Sequence, residues 1–346
     1  MMAVYANGYI NISADSAGDG NGGLFRQRDP AMFQSFLVPS DRTGSNGSYN
    51  CHLSNWDKYV ESAPLKARSW VTQERFMSPR VVHFSNDQVH WECVELMTSE
   101  SVNSSFHIGP EFIWTPEKSF HAFIQEPNSD TKIESLYTIW YRLVESYTTG
   151  QLTFISDRPV AIAGLARTFA HLLQLEQKDY ICGLWRPYLV LEMMWYTFTS
   201  TDRPNPDIPS WSWLSVNGDV WFKTPQVATK YQPVAEVMDV RITASLGDPY
   251  GSIVSGPLKI RAPICRAKIR RVPDPHARLD DGPKWEYTFV LGQEEIGEGH
   301  SFMLNLDECS SEFMEKVLSQ DVYLLLGQGS ILPYPETPDL PGSKQS

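Results

Sequence analysis

The sequence predicts an α+β fold, and three observations carry that expectation. Apolar residues recur at helical spacing through residues 131–175, period-two runs dominate after Pro209, and a short helix followed by a hairpin pattern occupies residues 69–93. The expected layout is a first region over residues 1–95, a mainly helical region over 96–205, an antiparallel β region over 206–330 and a disordered Pro-rich tail over 331–346.

Taken in order, the first element is a strand at residues 9–13, where apolar and polar side chains alternate before a run of glycines from Gly18 to Gly23. Residues 35–62 are polar and turn-rich and read as a surface loop. A short amphipathic helix over 69–76 ends at Ser78-Pro79, because the residue before proline is pushed out of the α region. Val81, His83 and residues 88–93 then flank Ser85-Asn86-Asp87 as a hairpin.

The clearest helix covers 131–147, with Ile133, Leu136, Tyr137, Trp140, Leu143, Val144 and Tyr147 on one face and a capping box from Thr131 and Glu134. A second covers 157–175. Pro159 fits its first turn, and Ile162, Leu165, Phe169, Leu172 and Leu173 form its buried stripe. A third, near 188–196, is apolar almost all round and is expected to be buried. Strands are expected at 211–215, 234–243, 258–269, 287–291 and 322–326, with Asn217-Gly218 as a turn signal.

Composition narrows the partners. A hydrophobic content of 42% with abundant aromatic residues places the chain among folded proteins. With 29 basic and 41 acidic residues the formal charge is -12, so the average field repels nucleic acid and anionic membrane surfaces. The basic stretch 261–271 alternates with Ile264, Ala267 and Ile269 and reads as the wet face of a strand. Five widely spaced cysteines without a C-x-x-C pair fit a reducing compartment. The opening residues hold neither a basic nor an apolar leader segment and no run is long enough to span a bilayer, so a soluble, cytoplasmic protein is expected.

The segment from Pro64 to Arg80 holds Arg68, Trp70, Gln73, Glu74, Arg75, Ser78 and Arg80, and it continues in Val82-His83-Phe84 and Trp91-Glu92-Cys93. It closely resembles the block that closes the fungal heterokaryon-incompatibility (HET) domain. Residues 4–12 and 22–26 look like the stretch between that domain's central and final blocks. Residues 157–164 (Asp-Arg-Pro-Val-Ala-Ile-Ala-Gly), 183–185 (Gly-Leu-Trp) and 209–213 (Pro-Ser-Trp-Ser-Trp) resemble segments that commonly follow it. The resemblance covers most of residues 1–270.

The family's usual opening block, similar to L-S-Y-x-W-G, and its central block, similar to W-I-D-x-L-C-I-N-Q, do not appear. The resemblance therefore implies the C-terminal part of a HET domain plus its downstream region. A truncated product, inactive as written, is one expectation. A second is a role in fungal non-self recognition, where the intact domain triggers programmed cell death through protein–protein contacts and self-association. No cofactor and no metal is called for.

Resemblance also supplies an enzymatic alternative. HET domains are similar to TIR domains, α/β proteins of which some hydrolyse NAD with a glutamate four residues after a tryptophan, and Trp70 and Glu74 stand at that spacing. On this alternative NAD is a substrate, and Glu74 stabilises an oxocarbenium-like transition state. The plainer expectation is that Glu74 and Arg75 form a helix-surface ion pair, or a hydrogen bond to the facing hairpin.

Other patterns carry less. Gly18-x-Gly20-x-x-Gly23 is followed by no helix that could cap a pyrophosphate. Asp15, Asp19 and Asn21 lack the spacing of a calcium loop. Cys93 with His83 or His90 can be drawn as a thiol and its base, but buried packing is the expectation. Trp211 and Trp213 are expected to share one face of a strand and fill the core.

Overall fold

The computed structural model describes residues 2–34, 36–39, 48–51, 56–101, 120, 132–197, 207–222, 231–245, 247–273, 285–291, 294–295, 322–325 and 328–330. It contains both helices and sheets. The chain begins with α1 (Met2–Ala6) and β1 (Asn11–Ser13), followed by a hairpin of β2 (Phe36–Pro39) and β3 (Ser48–Cys51). After α2 (Ser69–Met77) come β4 (Arg80–Phe84), β5 (Val89–Cys93) and β6 (Met97–Ser99). These three strands and β1 make a sheet of order β1-β4-β5-β6, in which β1 is parallel to β4 and the other pairs are antiparallel.

Two expectations fail in this region. Residues 35–62 are not all loop: besides the β2–β3 hairpin they hold a π-helical turn, Asp57–Glu61, whose flank and body bury Trp56, Tyr59 and Val60. The alternation at 9–13 is real but inverted. Ile10 and Ile12 face outward, Ile12 at 57% exposure, whereas Ser13 is buried. The inward face of β1 is polar because it meets a polar cluster, described below.

The helical region follows its apolar period. In α3 (Lys132–Thr148) Leu136, Tyr137, Trp140, Leu143, Val144 and Tyr147 are buried. Ile133 is exposed, since the core begins one turn further in. Thr131, half of the expected capping box, lies outside the described residues. In α4 (Arg158–Leu172) Pro159 sits in the first turn and Ile162, Leu165 and Phe169 are buried. This helix stops short of residue 175 because Gln174 turns left-handed (φ 55°), letting Leu175 N–H reach back to Ala170 O at 2.9 Å.

The β7 (Tyr180–Ile181) and β8 (Leu184–Trp185) hairpin leads to α5 (Leu189–Glu192), a single turn where a longer helix was expected. The helix ends there because Tyr196 pairs with Trp221, exchanging backbone hydrogen bonds of 3.0 and 2.8 Å. Residues 211–215 are not a strand. They form a turn and a 3-10 turn, Trp213–Ser215, since the Ser212 hydroxyl accepts from Leu214 N–H and Ser215 donates to Ser212 O. Trp213 is fully buried and Trp211 partly so, but not as two residues of one strand face.

The remaining strands are antiparallel as expected. β9 (Tyr231–Pro233) pairs with β18 (Gln328–Ser330). β10 (Glu236–Val240) pairs with β13 (Leu258–Arg261), and β11 (Thr243–Ala244) with β12 (Ile253–Ser255). β14 (Ile264–Pro273), β15 (Trp285–Leu291), β16 (Glu294–Glu295) and β17 (Val322–Leu325) form one sheet of order β16-β15-β14-β17. Residues 331–346, expected to be a disordered tail, lie outside the described residues.

One apolar core joins Phe76, α3, α4, the β7–β8 hairpin, residues 208–222 and Tyr250 with Ile253. Its centre is aromatic: Trp140 packs on Phe169 and Trp185, with centroids 5.2 and 5.4 Å apart. Burying each such ring stabilises the fold by roughly 1.5–3 kcal/mol relative to exposure. Among the described residues no helix is long and apolar enough to cross a membrane.

Candidate functional site

Backbone contacts set α2 in place. Its first residue, Ser69, donates its N–H to Gln151 O at 3.0 Å, and Gln151 N–H returns a 2.6 Å bond to Ala67 O. Gly150 makes this approach possible, because a Cβ there would lie 2.8 Å from the Ser69 backbone. At the other end Ser78 adopts extended ψ (124°) ahead of Pro79, and its hydroxyl donates to Glu74 O at 2.7 Å.

From this helix Arg75 points into the protein. It forks onto Glu92 of β5, with Nε to Oε2 at 2.7 Å and Nη2 to Oε1 at 3.2 Å, and Nη2 also reaches Glu61 at 2.8 Å. Glu92 Oε2 lies 3.1 Å from His83 Nε2, and the other ring nitrogen, Nδ1, lies 2.8 Å from Asp15 Oδ2. Asp15 further accepts from the Ser13 hydroxyl, and Glu61 from Trp56 Nε1 at 3.0 Å. Lys66 stands 3.8 Å from Glu61.

The result is a buried chain of charges from Asp15 through His83, Glu92 and Arg75 to Glu61. With Lys66 and a protonated His83, three positive groups face three carboxylates, so the cluster closes near neutrality. Desolvation opposes the charges on His83, Glu92 and Glu61, and the pairing overrides it. Burial alone pulls His83 down, yet bonds to Asp15 and Glu92 hold its pKa above the ordinary histidine value. Burial pushes Glu92 up, but Arg75 and His83 keep it well below the carboxylate range. Glu61, opposed by burial in the same way, is held at about 2 by Arg75 and Lys66.

His90, opposite His83 across the strands, behaves differently: burial and the neighbouring His83 charge pull it down to about 4. Its Nδ1 lies 3.2 Å from the Ser85 hydroxyl, and the Trp56 ring packs edge-on against both imidazoles.

Glu74 stands apart from this chain. It is half-buried on the side of α2 facing α1, close to the Tyr5 hydroxyl. Burial, then the neighbouring Glu74 carboxylate, push that hydroxyl up to about 12. Glu74 also lines a cleft with Asn11, Ser13, Asp15, Lys66 and His83. The cleft offers about 40 Å³, room for a water molecule or so and far too little for a dinucleotide. The expected ion pair between Glu74 and Arg75 does not form, because adjacent helix residues point apart; Arg75 alone makes the bond to the hairpin.

The other family-like residues divide by strand phase and helix face. Gln73, Arg75, Ser78 and Glu92 are buried, Trp70 and Glu74 half-buried, and Arg68 and Arg80 exposed. Arg80 lies over the Tyr9 ring at 5.2 Å, and Phe84 meets Phe25 edge-on at 5.8 Å. Trp91 and Cys93 alternate onto the face away from Glu92 and His90. Cys93 sits opposite Arg80, so neither histidine can serve as its base.

Asp15, Glu61 and His83 complete the cluster, and sequence reasoning did not place them there. One signal existed: His83, His90 and Glu92 fall in the same phase of two adjacent strands, so whichever face they take must be polar. The glycine run 18–23 forms turns, followed by the four-residue 3-10 turn Pro30–Phe33.

Downstream, the segments 157–164, 183–185 and 209–213 meet. Arg158 donates to Val216 O and, at 3.2 Å, to Gly218 O, with its guanidinium 5.7 Å from the Trp213 ring centre. Burial pulls Arg158 down to about 10. Trp213 Nε1 donates to Gly183 O at 2.9 Å and Ser212 to Cys182 O at 2.6 Å. Gly183 has φ 89°, and a Cβ on it would strike the Trp213 ring at 2.8 Å, so no other residue fits. Comparison with protein-family models, curated proteins and solved structures finds no match.

Proposed function

We propose that this chain acts by binding other proteins, in the manner its resemblance to fungal HET proteins implies, in non-self recognition leading to programmed cell death. The observation that carries the reading is how the 70–93 block uses its charged residues. Arg75 and Glu92, with His83 and Asp15, bond one another inside the protein, and the cleft beside this cluster is about 40 Å³. A frame of this kind fixes a surface; it does not receive a substrate. The TIR-like ancestry, the cytoplasmic location and self-association belong to the same proposal.

Overexpression in fungal cells tests it. Growth arrest or death is expected, and it should be lost with Arg75→Met, which breaks the frame. Cells that stay viable with the unaltered chain at high expression would overturn the proposal.

The competing reading is an NAD glycohydrolase using Glu74. Its support is that Glu74 lines the same cleft as Asp15 and His83. Against it stand the size of the cleft and the place of Glu74 outside the bonded cluster. Incubation of purified protein with NAD decides: no nicotinamide release is expected, and release abolished by Glu74→Ala would establish the enzyme instead.

A further inference from the structure

The sheet β1-β4-β5-β6 ends in two edges, and the two are built differently. Both edge strands are short, and only one is flanked by charge. Glu95 and Glu100 lie just before and after β6; Glu100 pairs with Arg28 and accepts the Val89 N–H at 2.7 Å. Around β1 no residue from Met2 to Ala14 is charged, and the carboxylate that follows, Asp15, is buried against His83.

An edge strand presents unpaired N–H and C=O groups, and native proteins blunt such edges with charge, proline or a bulge. β1 has none of these, and its apolar side chains stand in the open: Tyr9 is 82% exposed, Ile12 57% and Ile10 39%. Ile12 also closes a row across the outer face of the sheet, since it lies beside Val82, and Val82 lies opposite Trp91. Among the described residues no strand pairs with the outer side of β1.

A second copy of this chain is the occupant this edge suits. At a formal charge of -12 two copies repel where their charged surfaces meet, and the uncharged stretch from Met2 to Ala14 lets them approach without like charges opposed. Two identical strands paired antiparallel are self-complementary about a two-fold axis, the commonest symmetry of oligomers. An axis at Asn11 sets Ile10 of each copy against Ile12 of the other and carries the apolar row across the junction. Arg80, over the Tyr9 ring at 5.2 Å, then falls at opposite ends of the junction in the two copies, so the cations do not meet.

We propose that the chain dimerises by antiparallel pairing of β1 with β1 of a second copy, joining the two four-stranded sheets into one. This gives the self-association proposed above its surface, and it rests on that reading.

Sedimentation velocity of the purified full chain tests it, and a dimer is expected. Ile12→Lys, at an exposed position that the fold does not need, should weaken the dimer roughly tenfold or more. An equal mixture of Ile12→Lys and Ile12→Glu should recover it, because the axis brings the two positions near each other on one face; misfolded variants would not recover. An unaltered chain that sediments as a monomer would overturn the proposal and leave the edge to a strand from a different protein. A dimer unmoved by Ile12→Lys, or a mixture that stays monomeric, would overturn it too. Cell killing by a monomeric chain would sink the dimer and spare the role proposed above, whereas a dimer that leaves cells viable would sink the role and spare the interface.

Discussion

The molecule buries its two halves in opposite ways. Around α2 and the β4–β5 hairpin the interior is ionic: Asp15, His83, Glu92, Arg75 and Glu61 in sequence, with Trp56, Val60 and Met97 as a small apolar patch beside them. Around α3 and α4 the interior is aromatic and aliphatic, with Trp140, Phe169, Trp185 and Trp213 at its centre. The apolar half tolerates loss of shape by degrees. The ionic half is strongly interdependent, because removing one partner leaves another charge buried and unpaired.

The largest effects should come from cutting each half at its centre. Arg75→Met strands Glu92 and Glu61 and should cost about 3–5 kcal/mol in urea unfolding. Phe169→Ala, in the apolar half, should cost about as much through lost burial and a cavity. Acid separates them. As pH falls and the stranded carboxylates protonate, the Arg75→Met penalty should shrink, whereas the Phe169→Ala penalty should not change. Equal pH behaviour would break the comparison.

The apolar half holds one exception that sharpens it. Glu192 is wholly buried, accepts from Trp185 N–H, and faces the hydroxyls of Tyr137, Tyr141 and Tyr188, with no cation among the described residues to balance it. Burial raises it to about 8. The proton it holds in the folded state contributes stability that is full below the unfolded carboxylate pKa, about 4.3, and is lost as pH rises toward 8. Glu192→Gln should therefore be more stable than the unaltered protein at pH 8, on the order of 2–4 kcal/mol, with the difference vanishing by pH 4. Denaturation midpoints across that range check it.

The ionic cluster has the complementary profile. Glu61 and Glu92 are held low, so their contribution is complete above about 4.3 and is lost as pH falls through their folded values. His83 is held high, so its contribution is complete below about 6.5 and is lost as pH rises through its folded value.

Smaller effects probe the edges. Gly150→Ala forces a Cβ against the Ser69 backbone and should cost about 1–3 kcal/mol by strain where α2 begins, measured by the same unfolding curves. Glu74→Ala should change stability by less than about 1 kcal/mol, as a half-buried side chain outside the cluster. It should nevertheless lower the Tyr5 hydroxyl pKa from about 12, which an ultraviolet titration of the tyrosines would detect as a shift absent in Tyr5→Phe.

The same contrast explains what the sequence made legible. Helical periodicity located α3 and α4 within a few residues, because their buried positions are apolar and a period of 3.6 is visible by hydrophobicity alone. The Ser85-Asn86-Asp87 turn and the helix stop at Ser78-Pro79 were legible from local backbone chemistry. The ionic half was not. Where the inward phase of a strand carries Ser13 or His83 and the outward phase carries Ile12 or Val82, hydrophobic patterning assigns the wrong face to β1 and misses the cluster. Trp211–Ser215 failed for a related reason: alternation promised a strand, while serine hydroxyls bonding their own backbone made a turn.

Histidine 83 is the group on which the ionic frame turns, because both its ring nitrogens face carboxylates and only the doubly protonated ring can serve both. Nitrogen-15 NMR of the imidazoles reads this directly. The frame requires His83 to keep a proton on each nitrogen to higher pH than an ordinary histidine, whose pKa is about 6.5, while His90 stays neutral down to about 4. A His83 that titrates at or below that ordinary value would contradict it.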